Sequence, residues 1–220
     1  MKKILALSLI LLLTCLVSFA DESQVPDKTE DDSAAFFEEL TKRYPYYDEN
    51  LDEAISFFSE IIERYPSFAD AYYGRGLAYR DKGNFKKAFA DIDKAIIINP
   101  NYIEAYNDKG LIYLNKRQYN EAILEFTQIL KINPGYIDAY INRANANNDI
   151  NKHDLAISDL NKALQLSPNN ATAYYNRAIS YFYKREYNKS LMDLNKAEAL
   201  GLVAPQQLRK ELEKAIGKKK

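Results

Sequence analysis

Residues 69–100 read ADAYYGRGLAYRDKGNFKKAFADIDKAIIINP. Tyr72, Gly76 and Tyr79 recur at helical spacing. A short polar break follows, and then Phe85, Ala88, Ile92 and Ala95 fall on one side of a second helix. Pro100 closes the stretch because proline cannot continue a helical hydrogen-bond ladder. Working outward, the same pattern returns at residues 103–134, 137–168 and 171–202, and Pro66, Pro100, Pro134 and Pro168 stand 34 residues apart. The first-helix triplet recurs as Tyr106, Gly110, Tyr113, then Tyr140, Ala144, Asn147, then Tyr174, Ala178, Tyr181. The second-helix set recurs as Tyr119, Ala122, Phe126, Ile129, then His153, Ala156, Leu160, Ala163, then Tyr187, Ser190, Leu194, Ala197.

The residue sizes explain the pattern. Gly76, Gly110, Ala144 and Ala178 are small, so the second helix of the same unit can approach closely, and Ala88, Ala122 and Ala156 answer from the other side. Tyrosines, 18 in the chain, fill the remaining gaps while their hydroxyls reach polar edges. One helical pair cannot cover its own apolar face, so the units must stack.

In these residues the chain resembles the tetratricopeptide repeat family. The resemblance implies an all-α fold: an α-solenoid, a right-handed superhelix of stacked antiparallel helix pairs with a 34-residue period. It covers residues 67–202 as four units, 69–102, 103–136, 137–170 and 171–202. Residues 34–66 resemble a degraded unit acting as an N-terminal cap. Its second helix fits (Leu51, Ala54, Phe58, Ile61), but Lys42 and Pro45 replace the small and aromatic residues of its first. Residues 203–220 hold a charged amphipathic helix from Pro205 to Gly217 and a basic tail, a terminal element with a polar outer face.

In this family the first helices line a concave groove. The stripe beside the packing stripe supplies Tyr73, Leu77 and Arg80; Asn107, Leu111 and Leu114; Ile141, Asn145 and Asn148; and Tyr175, Ile179, Phe182 and Tyr183. Asp70, Glu104 and Asp138 mark one edge. Leu114, Phe182 and Tyr183 are expected to lie off the packing stripe and to mark a contact site. Asn145 and Asn176 match two positions of the clamp with which some family members grip a chaperone's C-terminal carboxylate, but Ile141 replaces the first lysine. That argues against chaperone-tail capture.

Arg75, Arg143 and Arg177, with Lys109, occupy one repeat position. Such a row is either a cation ladder for an acidic partner, or a set of stems along the stack whose heads pair with carboxylates of neighbouring units. The second is the expectation. His153 stands where other units carry Phe85, Tyr119 and Tyr187, and is expected as a ring filling the inter-helix slot.

MKKILALSLILLLTCLVSFA, residues 1–20, has a basic start, an apolar run and small residues at Ser18 and Ala20. It reads as a secretory signal cut after Ala20. The alternatives are an uncleaved membrane anchor and lipid attachment at Cys15, where Thr14 departs from the usual lipoprotein box. Residues 21–33, DESQVPDKTEDDS, form an acidic segment expected to be a disordered linker. The expected location is therefore periplasmic or secreted.

The whole chain carries 30 basic and 31 acidic residues, net −1, so charge gives no case for nucleic-acid binding. One histidine and one cysteine exclude a histidine-rich metal site and a disulfide framework within the chain. Gly74-Arg75-Gly76 lacks the third glycine and the preceding strand of a phosphate loop. No D-x-[DN]-x-[DN]-G run makes a Ca²⁺ loop. Asn170 and Asn188 begin sequons that matter only in a glycosylating host. The reading is a non-enzymatic protein-interaction scaffold of the cell envelope without cofactor, metal, or a membrane span in the mature chain. It binds a peptide or partner helix in the groove. The alternative is a structural component that self-associates as a homo-oligomer, or braces an envelope assembly, through its convex face or ends.

Overall fold

The computed structural model describes residues 50–217, and every regular element among them is an α-helix. In chain order these are α1 (Leu51–Arg64), α2 (Ala69–Asp81), α3 (Phe85–Ile98), α4 (Ile103–Asn115), α5 (Tyr119–Ile132), α6 (Ile137–Asp149), α7 (His153–Leu166), α8 (Ala171–Tyr183), α9 (Tyr187–Ala199) and α10 (Gln206–Gly217). The signal, the acidic linker, the first helix of the degraded unit and the tail Lys218–Lys220 lie outside the described residues.

Local chemistry sets the helix ends. Asn50, Asn84 and Asn170 cap α1, α3 and α8 with side-chain oxygens that accept first-turn amides, such as Ala173 N–H at 2.9 Å. Within each unit the first helix stops at a left-handed residue: Gly83 (φ 75°), Arg117 (57°), Asn151 (59°) and Arg185 (60°). The next amide reaches back five residues, as from Asn84 to Tyr79 O and from Gln118 to Tyr113 O, which satisfies carbonyls left open by the helix end. Asn99, Asn133 and Ser167 end the second helices ahead of the prolines.

The chain forms two compact units, one up to Ala105 and one from Tyr106 onward. In the first, Phe58 and Ile61 of α1 and Tyr65, which follows it, meet Ala71 of α2. Gly74, which the period does not single out, lies so close to the Phe58 ring that a Cβ there would overlap it. On the other side of α2, a Cβ on Gly76 would lie 3.0 Å from Ile92 of α3. In the second unit Ile141 and Ala144 of α6, Ala156, Leu160 and Ala163 of α7, and Ala173 of α8 make one cluster. Leu212 of α10, Ala178 and Leu194 make another.

A single packing stripe per first helix is too narrow a description. α2, α6 and α8 each lie between the second helix of their own unit and that of the preceding one, so two sides are buried. Ala71, Ala78, Ala139, Ala146, Ala173 and Ser180 are all fully enclosed. None belongs to the sequence triplet, and their small size lets two helices close in at once.

Candidate interaction surface

The cation row is the most regular polar feature. Nε and Nη2 of each arginine make a two-pronged contact with the aspartate sixteen residues on: Arg75 with Asp91 (2.7 and 2.8 Å), Arg143 with Asp159 (2.9 and 2.6 Å), and Arg177 with Asp193 (2.7 and 2.9 Å). Nη1 donates to the preceding second helix, at Ser59 Oγ (3.1 Å), Thr127 Oγ1 (3.0 Å) and Asn161 Oδ1 (2.6 Å). Lys109 pairs with Glu125 at 3.0 Å. The tyrosine three residues earlier places its ring 5.4–5.8 Å from each guanidinium carbon. Hydrogen bonding to Asp91 and Asp193 holds Arg75 and Arg177 above the ordinary guanidinium range.

These contacts correct the expected partners. The carboxylate comes from the same unit, because the second helix folds back antiparallel onto the first, and the neighbouring unit supplies a neutral acceptor. The row is a structural seam. The acids Asp91, Glu125, Asp159 and Asp193 share the 34-residue period, a signal visible in the sequence once cations and acids are aligned together.

Along the expected groove the positions divide. Tyr73 and Leu77 are 2% and 3% exposed and belong to the core, which corrects their assignment to an open surface. The Tyr73 ring packs on Tyr102 at 4.9 Å, and the Tyr102 hydroxyl donates to the Asp70 carboxylate. Burial raises the Asp70 carboxyl and holds the Tyr102 phenol well above its usual range. Ile141 is likewise core, packed with Ala144 and Leu160. Tyr175 and Phe182 are half-buried against the cluster of Ala178, Leu194 and Leu212, the last supplied by α10. That corrects the expectation that Phe182 lies off the packing.

Asn148 joins α6 to α8: its Nδ2 donates to Ser180 Oγ at 2.8 Å, and its Oδ1 lies 3.0 Å from His153 Nδ1. With Nδ2 committed to Ser180, Oδ1 is the acceptor and His153 takes the Nδ1–H tautomer, an assignment from the network. The imidazole also stacks on Tyr183 at 5.2 Å and 7°. His153 thus sits half-buried as a ring, with Tyr183 of the following unit as its stacking neighbour.

Asn107, Leu111, Leu114, Asn145 and Ile179 remain half-buried, and Tyr183 is 60% exposed. Asn107 Oδ1 is buried without a hydrogen-bond partner among the described residues. A cleft of about 480 Å³ between α9 and α10 is lined by Glu198, Leu202, Arg209 and Lys210, and its Arg209 bonds Glu198 and Asn195. No group of three or more metal-ligating side chains exists among the described residues. None of the described helices is long and apolar enough to cross a membrane.

The tetratricopeptide repeat profile matches residues 69–102, a second of that description matches 92–124, and a TPR repeat profile matches 144–184. The chain belongs to the tetratricopeptide repeat family. Its fold is similar to that of MamA (TM-score 0.65, 21% identity, covering 74% of this chain and 92% of that one). It is also similar to residues 41 to the end of MamA from Desulfovibrio magneticus RS-1 (TM-score 0.67, 20% identity, covering 77% and 95%). YrrB, described as a TPR protein with an unusual peptide-binding site, superposes with TM-score 0.62 at 23% identity over 77% of this chain and 84% of its own. No curated protein sequence matches the chain. As a tetratricopeptide repeat protein the chain is a protein-interaction scaffold.

Proposed function

We propose that this tetratricopeptide repeat protein is a non-enzymatic scaffold outside the cytoplasm that holds a peptide or a partner's helix against α4, α6 and α8. The buried, unpartnered Asn107 Oδ1 carries this reading. An unmet buried acceptor costs about 1–3 kcal/mol. Turning the half-buried Asn107 side chain toward the groove lets a ligand N–H recover it, while Leu111, one turn along, and Leu114 offer apolar contact. The peptide-binding site of YrrB supports the reading by analogy of fold. No positioned nucleophile and base emerge from the repeat pattern, which argues for binding and against turnover.

Selection of peptides from a displayed random library on the wild-type chain tests the groove. Selected peptides should lose binding to a variant carrying Asn107→Ala, Leu111→Ser and Leu114→Ser, whose melt stays cooperative. Retained binding would move the site elsewhere. The location rests on residues 1–20 and has its own test, the intact mass of native protein. A mature chain beginning at Asp21 is expected. A lipid-bearing Cys15 or a retained Met1 would sink the soluble, secreted reading.

A further inference from the structure

The second helices of the unit from Tyr106 onward present one solvent-facing stripe each, and the three stripes follow a common order. Residues 121, 124, 128 and 131 of α5, residues 155, 158, 162 and 165 of α7, and residues 189, 192, 196 and 199 of α9 are equivalent in the 34-residue period. Large apolar side chains occupy the N-terminal half of each stripe. Leu124 is 62% exposed, Leu155 54% and Met192 70%. Cations occupy the C-terminal half, with Lys131, Lys162 and Lys196 all exposed. The second helices of successive units run in the same direction, so the two halves lie side by side: Leu124, Leu155 and Met192 fall in one half, and Lys131, Lys162 and Lys196 fall one to two helical turns further along, at neighbouring rather than identical repeat positions.

The basic half is open. Lys131 and Lys162 donate only to Gln128 and Gln165 of their own helices, at 3.2 and 3.0 Å, and none of the three lysines is in an ion pair among the described residues. The other charges on these stripes are Glu121, half-buried beside Gln118, and Lys189, paired with Glu186 at 2.6 Å. Asp154 next to Leu155 is paired with Lys184 at 2.5 Å. Glu121 has only the neutral Gln118 beside it, so the stripes carry three open cations against one such acid, on a chain whose net charge is −1. The leucines and the methionine protrude singly, with polar Ser158 between them. Protein partners draw their binding energy from side chains seated in enclosed pockets. A lipid interface needs protruding apolar groups beside cations that reach headgroup phosphates along flexible stems.

We propose that the outer face of α5, α7 and α9 is a peripheral docking surface for an anionic lipid bilayer. Leu124, Leu155 and Met192 enter the interface, and Lys131, Lys162 and Lys196 contact the anionic headgroups. This face is distinct from the proposed peptide-holding side, so a docked molecule keeps its first helices available for a partner.

The test uses the full chain with Cys15→Ser and Met192→Cys, labelled at position 192 with an environment-sensitive fluorophore. Residues 1–20 are apolar enough to bind any bilayer, so neutral phosphatidylcholine vesicles are the control and mixed phosphatidylcholine–phosphatidylglycerol vesicles the probe. The label should shift blue and brighten about twofold on the anionic vesicles as it enters the interface. It should stay unchanged on the neutral ones. Adding Lys131→Gln, Lys162→Gln and Lys196→Gln should abolish the shift while circular dichroism stays unchanged, since all three lysines are exposed. No shift on anionic vesicles, an equal shift on neutral vesicles, or persistence in the triple lysine variant would each overturn the proposal. A shift that grows with protein concentration without vesicles would also overturn it, assigning the face to a second copy of the chain.

Discussion

At Gly110 an added Cβ would lie 2.7 Å from Cε1 of Phe126, whose ring is fully enclosed and has nowhere to turn. The equivalent pairs further along are Ala144 with Leu160 and Ala178 with Leu194, so the chain itself shows the compensating combination. Gly110→Leu should cost roughly 1–3 kcal/mol or more through overpacking. Gly110→Ala should also destabilise, and Phe126→Leu added to it should recover part of the loss. Chemical denaturation of the two singles and the double measures the coupling, and strict additivity would refute it. Asp70 makes a second prediction. Its carboxyl is raised chiefly by burial, with the Tyr102 bond opposing and the Glu104 charge adding. A carboxyl raised by folding binds more protons folded than unfolded, so stability falls as pH climbs from the unfolded value through the folded one. Asp70→Asn should flatten the melting temperature between about pH 4 and about pH 7, the range above an ordinary carboxyl. An unchanged slope would locate the pH dependence elsewhere.

At the scale of the element, α10 does more than present a polar end. Leu212 is fully buried with Ala178 and Leu194, and Leu208 and Ala204 pack against the same cluster as Tyr175 and Phe182. Leu212→Ala should cost about 2–5 kcal/mol, the range for large-to-small core changes. Hydrogen exchange should place the loss in α8 and α9; protection there equal to wild type would contradict the capping role. The neighbouring residues Phe182 and Tyr183 should behave oppositely. Phe182→Ala removes a ring packed against that cluster and should cost about 2 kcal/mol or more. Tyr183→Ala removes an exposed ring whose stacking partner is His153, and should cost roughly 0.5–1.5 kcal/mol. Thermal melts rank the two, and the reverse order would show the α10 contact to be unimportant. His153→Tyr should be near neutral, because an aromatic ring remains for Tyr183 and Asn148 keeps its bond to Ser180.

At the scale of the repeat array, Arg75, Arg143 and Arg177 each pair with an aspartate of their own unit and reach the second helix before them, at Ser59, Thr127 and Asn161. Stability in a repeat array is a sum of unit and neighbour terms. Removing the aspartate that holds an arginine in place for its bond to the preceding helix should therefore lower cooperativity as well as stability. Asp159→Ala leaves the Arg143 guanidinium, one fifth exposed, without its carboxylate and should cost about 2 kcal/mol, discounted from the value for a fully buried pair. Arg143→Met with Asp159→Leu should cost less, since no charge is stranded. Urea titration should give a shallower or biphasic transition for Asp159→Ala. A single steep transition at a lower midpoint would mean that the units do not uncouple at this rung.

The sequence by itself determined the repeat, its 34-residue period, the proline stops of the second helices and the small-residue crossings at Gly76, Gly110, Ala144 and Ala178. These are local matters: apolar spacing, prolines and side-chain volume act within one unit and repeat with it. The seam was half legible, because its cations and acids share the period, but charge periodicity does not say which helix faces which. Only the tertiary structure decided that the carboxylate comes from the same unit and the neutral acceptor from the one before. It also decided which groove positions stay open. Tyr73, Leu77 and Ile141 occupy the same sequence stripe as Asn107, Leu111 and Asn145, yet they are core and the others half-buried. Burial depends on what packs against a helix: Tyr102 on Tyr73, the α7 residues beside Ile141, and Leu194 and Leu212 in the cluster that Tyr175 and Phe182 join. Those neighbours lie outside the helix they cover, where a single-helix period carries no information.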